Sequence, residues 1–119
     1  MTRIRQQVGR HGEDLAAQWL VEHGMTVLER NWRCPEGELD IIARTRDGVV
    51  VVCEIKCRTG LGYGAPLEAI TYDKVRRLRQ LAGIWAREHG LRRRVRIDAI
   101  GILDRRGAAP EFTHVQGIG

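Results

Sequence analysis

No stretch of this 119-residue chain is apolar over anything near the roughly 20 residues that a helix needs to cross a bilayer. Its opening segment, MTRIRQQVGRHGEDLAAQ, carries basic residues but lacks the apolar core of a secretory signal. These two lacks predict a cytoplasmic protein with no membrane partner. Cysteine is scarce and odd in number, with only Cys34, Cys53 and Cys57, so no disulfide framework is expected. Cys53 and Cys57 fall four residues apart in one predicted strand, about 13 Å from end to end, too far to share a zinc ion. Reduced thiols in or near the core are the expectation. Internal repeats, low-complexity tracts and linkers are missing too, which leaves one domain spanning residues 1–119. The four histidines show no ligand spacing and are assigned to surface or packing roles.

What is present is charge, and it is unevenly placed. The whole chain carries only +5, yet Asp73 to Arg96 holds nine Lys/Arg against two Asp/Glu. A concentrated basic surface suits a polyanion such as nucleic acid. The alternative is an ordinary solvated helix face followed by the arginine turn Arg92 to Arg94.

The hydrophobic pattern predicts the elements. A first helix runs from Gln6 to His23 and stops at Gly24, with Val8, Leu15, Ala16, Trp19 and Leu20 on one stripe. On that helix Asp14 lies opposite the stripe, whereas Glu13 lies on its edge and points towards the sheet. TVLERNWR reads as a strand, PEG as a turn and ELDIIAR as a second strand. The Asp-Gly pair of TRDG then closes a hairpin into VVVVCEIKC, a third strand apolar on both faces and therefore central. A glycine-rich loop, GLGYGAP, leads to a second helix over DKVRRLRQLAGIWAREHG, with Asp73 as its N-cap and Gly90 near its end. VRIDAIGIL is a fourth strand, and EFTHV a short edge strand. The order α-β-β-β-α-β describes an α/β fold, a mixed sheet flanked by helices. Trp19 and Trp85 fall on the helix stripes and are expected in the core.

Two acids and an amine interrupt the most apolar segments. Alternation puts Glu54 and Lys56 on the same face of the third strand, and the hairpin brings Asp40 on the neighbouring strand within reach of Glu54. Glu13 arrives from the helix. A same-face ion pair of Glu54 with Lys56 at a sheet end would also satisfy the pattern, but buried ion pairs seldom stabilise a fold. Oxygen ligands of this kind suit a hard cation such as Mg²⁺ or Mn²⁺, and a metal-bound water beside a lysine is suited to phosphodiester hydrolysis. Glu38 shares a face with Asp40 but is expected to be solvated at the strand's start. Glu68 has no assigned geometry, and Asp98, which alternates with Arg96 and Ile100 on the fourth strand, is expected to form a cross-strand salt bridge.

Asp40 followed by the EIK of Glu54 to Lys56 resembles the PD-(D/E)xK nuclease signature. In the order GRHGEDLAAQWLVEHG, LERNWRCPEGELDIIA, VVCEIKCR and EAITYDKVRRLRQLAGIWA, the chain resembles the bacterial YraN family, also called UPF0102. That family is similar to archaeal Holliday-junction resolvases, and the resemblance covers about Val8 to Leu103. It implies a restriction-endonuclease-like fold and a nuclease site. In that site Glu13 is the helix acid, Asp40 the first strand acid, and Glu54 and Lys56 the E-x-K pair. Glycine rather than proline precedes the acidic pair of GELD.

The combined expectation is a metal-dependent endonuclease acting on DNA, on branched or damaged structures. Asp40, Glu54 and Glu13 would bind the metal, Lys56 would assist catalysis, and Arg30, Lys74, Arg76, Arg77 and Arg79 would contact the nucleic acid. A homodimer would let two sites meet two strands. The rival readings are a nucleic-acid-binding protein that does not cut, and an interaction protein whose basic face meets an acidic partner.

Overall fold

The computed structural model describes residues 3–119 apart from 61 and 63, and only the backbone of residues 3–9. The chain runs α1 (Arg3–Glu22), β1 (Thr26–Cys34), β2 (Gly37–Arg44), β3 (Val50–Arg58), α2 (Tyr72–Glu88), β4 (Arg96–Leu103) and β5 (Glu111–Val115). A 3-10 turn, Pro66–Ala69, precedes α2. The five strands form one sheet in the order β1-β2-β3-β4-β5. Only β3 and β4 are parallel, because the chain crosses over through α2 between them. The other neighbours are antiparallel hairpins or edges.

Alternation along the strands sends side chains to two separate cores. Ile42 and Val52 join Leu39 and Trp32 under Leu78, Leu81 and Trp85 of α2. Ile41, Val51, Cys53 and Ile55 pack instead with Ala16 and Leu20 of α1, and Ile100 and Ile102 of β4 join them. The central β3 is buried on both faces, as its unbroken valines require. Burial pushes the Cys53 thiol well up, and all three cysteines are free thiols. Among the described residues no helix is long and apolar enough to cross a membrane.

Element boundaries moved slightly. α1 begins at Arg3 rather than Gln6, since the arginines there are good helix formers. The side chain of Val8, assigned to the apolar stripe, lies outside the described residues. Both helices end on the glycines expected, with Gly24 at φ 87° and Gly90 at φ 64°. The cap of α2 is a correction. Thr71, not Asp73, is the N-cap, its hydroxyl accepting the Lys74 N–H at 3.2 Å. The helix begins one residue earlier than predicted, which carries Asp73 into the exposed first turn, where it faces Arg76 at 3.8 Å. Trp85 is in the core as expected. Trp19 is half-buried, stacked on His23 and Phe112.

Candidate active site

The pairing of β2 with β3 ends at Ile41 opposite Cys53, one residue short of Asp40 and Glu54. Beyond that point the strands part, and a side chain can enter the gap. Asp40 does so: its Oδ2 accepts the backbone N–H of Ile55 at 2.9 Å. The carboxyl therefore stands at the fork between two strands, where both layers of the protein can reach it.

From one side comes α1. Gly12 allows the approach, because a Cβ built there would lie 2.6 Å from the Cβ of Cys57 on β3. The next residue, Glu13, is thereby held over the fork. The carboxylates of Glu13, Glu38 and Asp40 have oxygens all within 4.8 Å of one another. From the other side comes the largely buried Glu54, 4% exposed, whose Oε2 lies 3.2 Å from the Nζ of both Lys56 and Lys74. Asp40, Glu54 and Glu13 are thus neighbours as the sequence suggests, but the tight trio contains Glu38 where Glu54 was expected. Glu38 is exposed at the strand's start, and still turns its carboxylate inward beside Asp40. Its spacing of two residues from Asp40 was the available signal.

The electrostatics single out Asp40. Glu13 has Arg30 at 3.7 Å, Glu38 has Arg33 at 2.9 Å, and Glu54 has two lysines. Among the described residues Asp40 has no cation within ion-pair distance. Burial pushes its pKa up, the charge of Glu54 adds to this, and Glu13 contributes, so that it reaches about 7 in spite of the Ile55 N–H. The Glu13 carboxyl is also raised by burial, with Arg30 and the Asn31 side chain pulling the other way. Asn31 holds the left-handed region at φ 55°, one residue along β1 from Arg30.

Two of the basic side chains assigned to nucleic acid are committed elsewhere. Arg30 donates to the exposed carboxylate of Asp14 at 2.7 Å and braces Glu13, so it ties β1 to α1. Arg79 donates to the carbonyls of Val95 and Gly119 at 2.6 and 2.9 Å, which clamps α2 to the segments flanking β4. Arg76 and Arg77 remain exposed on α2. Glu68 accepts the Ala65 N–H at 3.1 Å and caps the 3-10 turn. Asp98, fully buried, takes two bonds of 2.9 and 3.0 Å from Arg96 of its own strand, where a cross-strand salt bridge was expected. It also takes His114 at 2.7 Å from β5 and the Gly117 N–H at 3.0 Å. A cavity of about 410 Å³, lined by Trp19, His23, Arg46, Arg96 and His114 among others, lies at the opposite end of the sheet and touches none of the acids.

Chemically, three carboxylates offering only oxygen within 4.8 Å fit a hard divalent cation, whose opposing ligands stand about 4–5 Å apart. With a lysine–glutamate pair alongside, the arrangement has the parts for hydrolysing a charged ester.

Residues 12–102 match the Uncharacterised protein family UPF0102. A UPF0102 protein of Clavibacter michiganensis subsp. michiganensis is 54% identical over 117 residues, covering 98% of both chains. Another from a Nocardioides species is 50% identical over 117 residues, covering 98% of this chain and 94% of its own. A third, from Acidothermus cellulolyticus, is 49% identical over 125 residues, covering 95% and 93%.

Proposed function

The chain belongs to the uncharacterised protein family UPF0102, and we propose that it is a Mg²⁺- or Mn²⁺-dependent nuclease that hydrolyses phosphodiester bonds in DNA, including branched or damaged forms. The observation that carries this reading is Asp40. A carboxyl with no cation within ion-pair distance among the described residues, crowded by Glu13, Glu38 and Glu54 at a strand fork, costs the fold stability and returns nothing unless a cation joins it.

Glu13, Glu38 and Asp40 would hold the ion, with Glu54 behind Asp40. Once bound, the ion supplies an acidified water and offsets the negative charge of the phosphate. The chain's own residues do the rest. The Ile55 N–H fixes the direction of Asp40. Lys56, held against Glu54, stabilises the charge that grows on the phosphate oxygens as the bond breaks. Arg76 and Arg77 take the backbone by charge alone, which makes affinity strongly salt-dependent and any selectivity a matter of shape. The arginine turn, Arg92 to Arg94, follows the far end of α2, about 25 Å from Lys74, so a duplex along the helix would meet basic groups over some seven base pairs.

The test is cleavage of duplex, single-stranded and branched DNA with Mg²⁺, Mn²⁺ or EDTA. Cutting that needs the metal and is lost in Asp40→Ala and Lys56→Ala supports the assignment. Salt-sensitive binding without cutting makes this a binding protein, and neither binding nor cutting removes nucleic acid from the account.

A further inference from the structure

Glu54 has one more cation than an ion pair needs. Lys56 and Lys74 both stand 3.2 Å from the same oxygen, Oε2. The two lysines are differently held. Lys56 belongs to the buried strand β3, and its side chain is 23% exposed. Lys74 belongs to the first turn of α2, where the Thr71 cap fixes its backbone N–H, and its side chain is 40% exposed. A cation in the first turn of a helix also works against the helix dipole. Of the two, Lys74 is the one that can leave.

We propose, resting on the metal-dependent reading above, that Lys74 is an internal counter-ion. A divalent cation at Glu13, Glu38 and Asp40 expels it from Glu54, and it then grips a backbone phosphate of the nucleic acid. A dication held by the neighbouring carboxylates and the ammonium on Glu54 would repel each other, with a strength that Coulomb's law gives for a separation of roughly 6 Å. Even at the dielectric of water their repulsion is worth about a factor of ten in affinity. Lys56 alone keeps Glu54 oriented after Lys74 has gone. The freed ammonium, at a helix N-terminus that itself attracts phosphate, gains a partner outside the site. Metal and nucleic acid therefore bind cooperatively, and the coupling is reciprocal. Metal-free protein holds the polyanion weakly because one of its cations is turned inward.

The experiment is titration calorimetry of Ca²⁺, an oxygen-seeking divalent cation, into the full chain with and without a saturating DNA duplex. The wild type, Lys74→Met, Lys74→Gln and Lys74→Arg are compared. For the wild type, duplex tightens Ca²⁺ binding about tenfold. In both neutral variants Ca²⁺ binds about tenfold more tightly without duplex, and duplex then changes it less than about twofold. Lys74→Arg keeps the wild-type pattern. If the neutral variants bind Ca²⁺ as the wild type does or more weakly, or keep the coupling, the counter-ion role is wrong while the metal site stands. A wild type that binds no Ca²⁺ overturns both.

Discussion

Replacing Asp40 by asparagine removes one charge from the fork between β2 and β3 while leaving an oxygen to accept the Ile55 N–H. The groups facing it are Glu13 from α1, Glu38 on its own strand and Glu54 from β3, the last carrying Lys56 and Lys74. Its pKa is raised from 3.8 to about 7. The folded protein therefore binds a proton that the unfolded chain has released throughout the window between those values. Stability falls as pH rises through that window, and the full cost of the charge is present above it. At 1.36 kcal/mol per unit the limit is about 4 kcal/mol, and solvent at the half-buried carboxyl reduces it to about 2 kcal/mol. Asp40→Asn should thus gain about 2 kcal/mol at pH 8, or roughly 8 °C in Tm, and gain almost nothing at pH 4. Urea denaturation in EDTA at a series of pH values measures this. A variant less stable than wild type at pH 8, or one with an unchanged pH slope, refutes the reasoning.

Three other parts of the fold respond to substitution in measurable ways. Gly12→Ala forces a methyl against Cys57, so α1 must lift from β3. About 1–3 kcal/mol of stability should be lost by thermal melting, and divalent-cation affinity should fall as Glu13 is displaced. Asp98→Ala leaves Arg96 and His114 without their buried partner and should cost about 3–5 kcal/mol in urea, with cation affinity little changed. Burial works to raise the Asp98 pKa, but its bonds to His114, Arg96 and Gly117 win and hold it below the usual value. Its contribution to stability is therefore present above about pH 4 and is lost as pH falls further. The double change of Arg76 and Arg77 to Ala should lower DNA affinity and reduce the slope of log K against log salt by about 2, read by fluorescence anisotropy.

Much of this was legible in the sequence. The Asp-Gly hairpin gave the antiparallel β2–β3 pair, and period-two alternation assigned Glu54 and Lys56 to one face of a central strand. The edge position of Glu13 on its helix stripe was enough to aim it at the sheet. Less visible were features that depend on where two strands part company. Spacing placed Asp40 near Glu54, but only the end of the β2–β3 ladder makes Asp40 the hub and draws Glu38 in beside it. Basic residues were also harder to assign than acids. A long arginine reaches several partners, and Arg30 and Arg79 found theirs across the fold, on Asp14 and on the Val95 and Gly119 carbonyls. The cap of α2 slipped because Thr71 and Asp73 are both good N-cap residues, and local sequence does not decide between them.

The claim at the centre is that carboxylates from α1 and β2 hold a divalent cation. Calorimetric titration of Mn²⁺ into wild type and Asp40→Asn at pH 8 tests it without any substrate. Saturable binding to the wild type, weakened at least about tenfold in the variant, is the predicted result. No binding to the wild type, or equal binding to both, would contradict it.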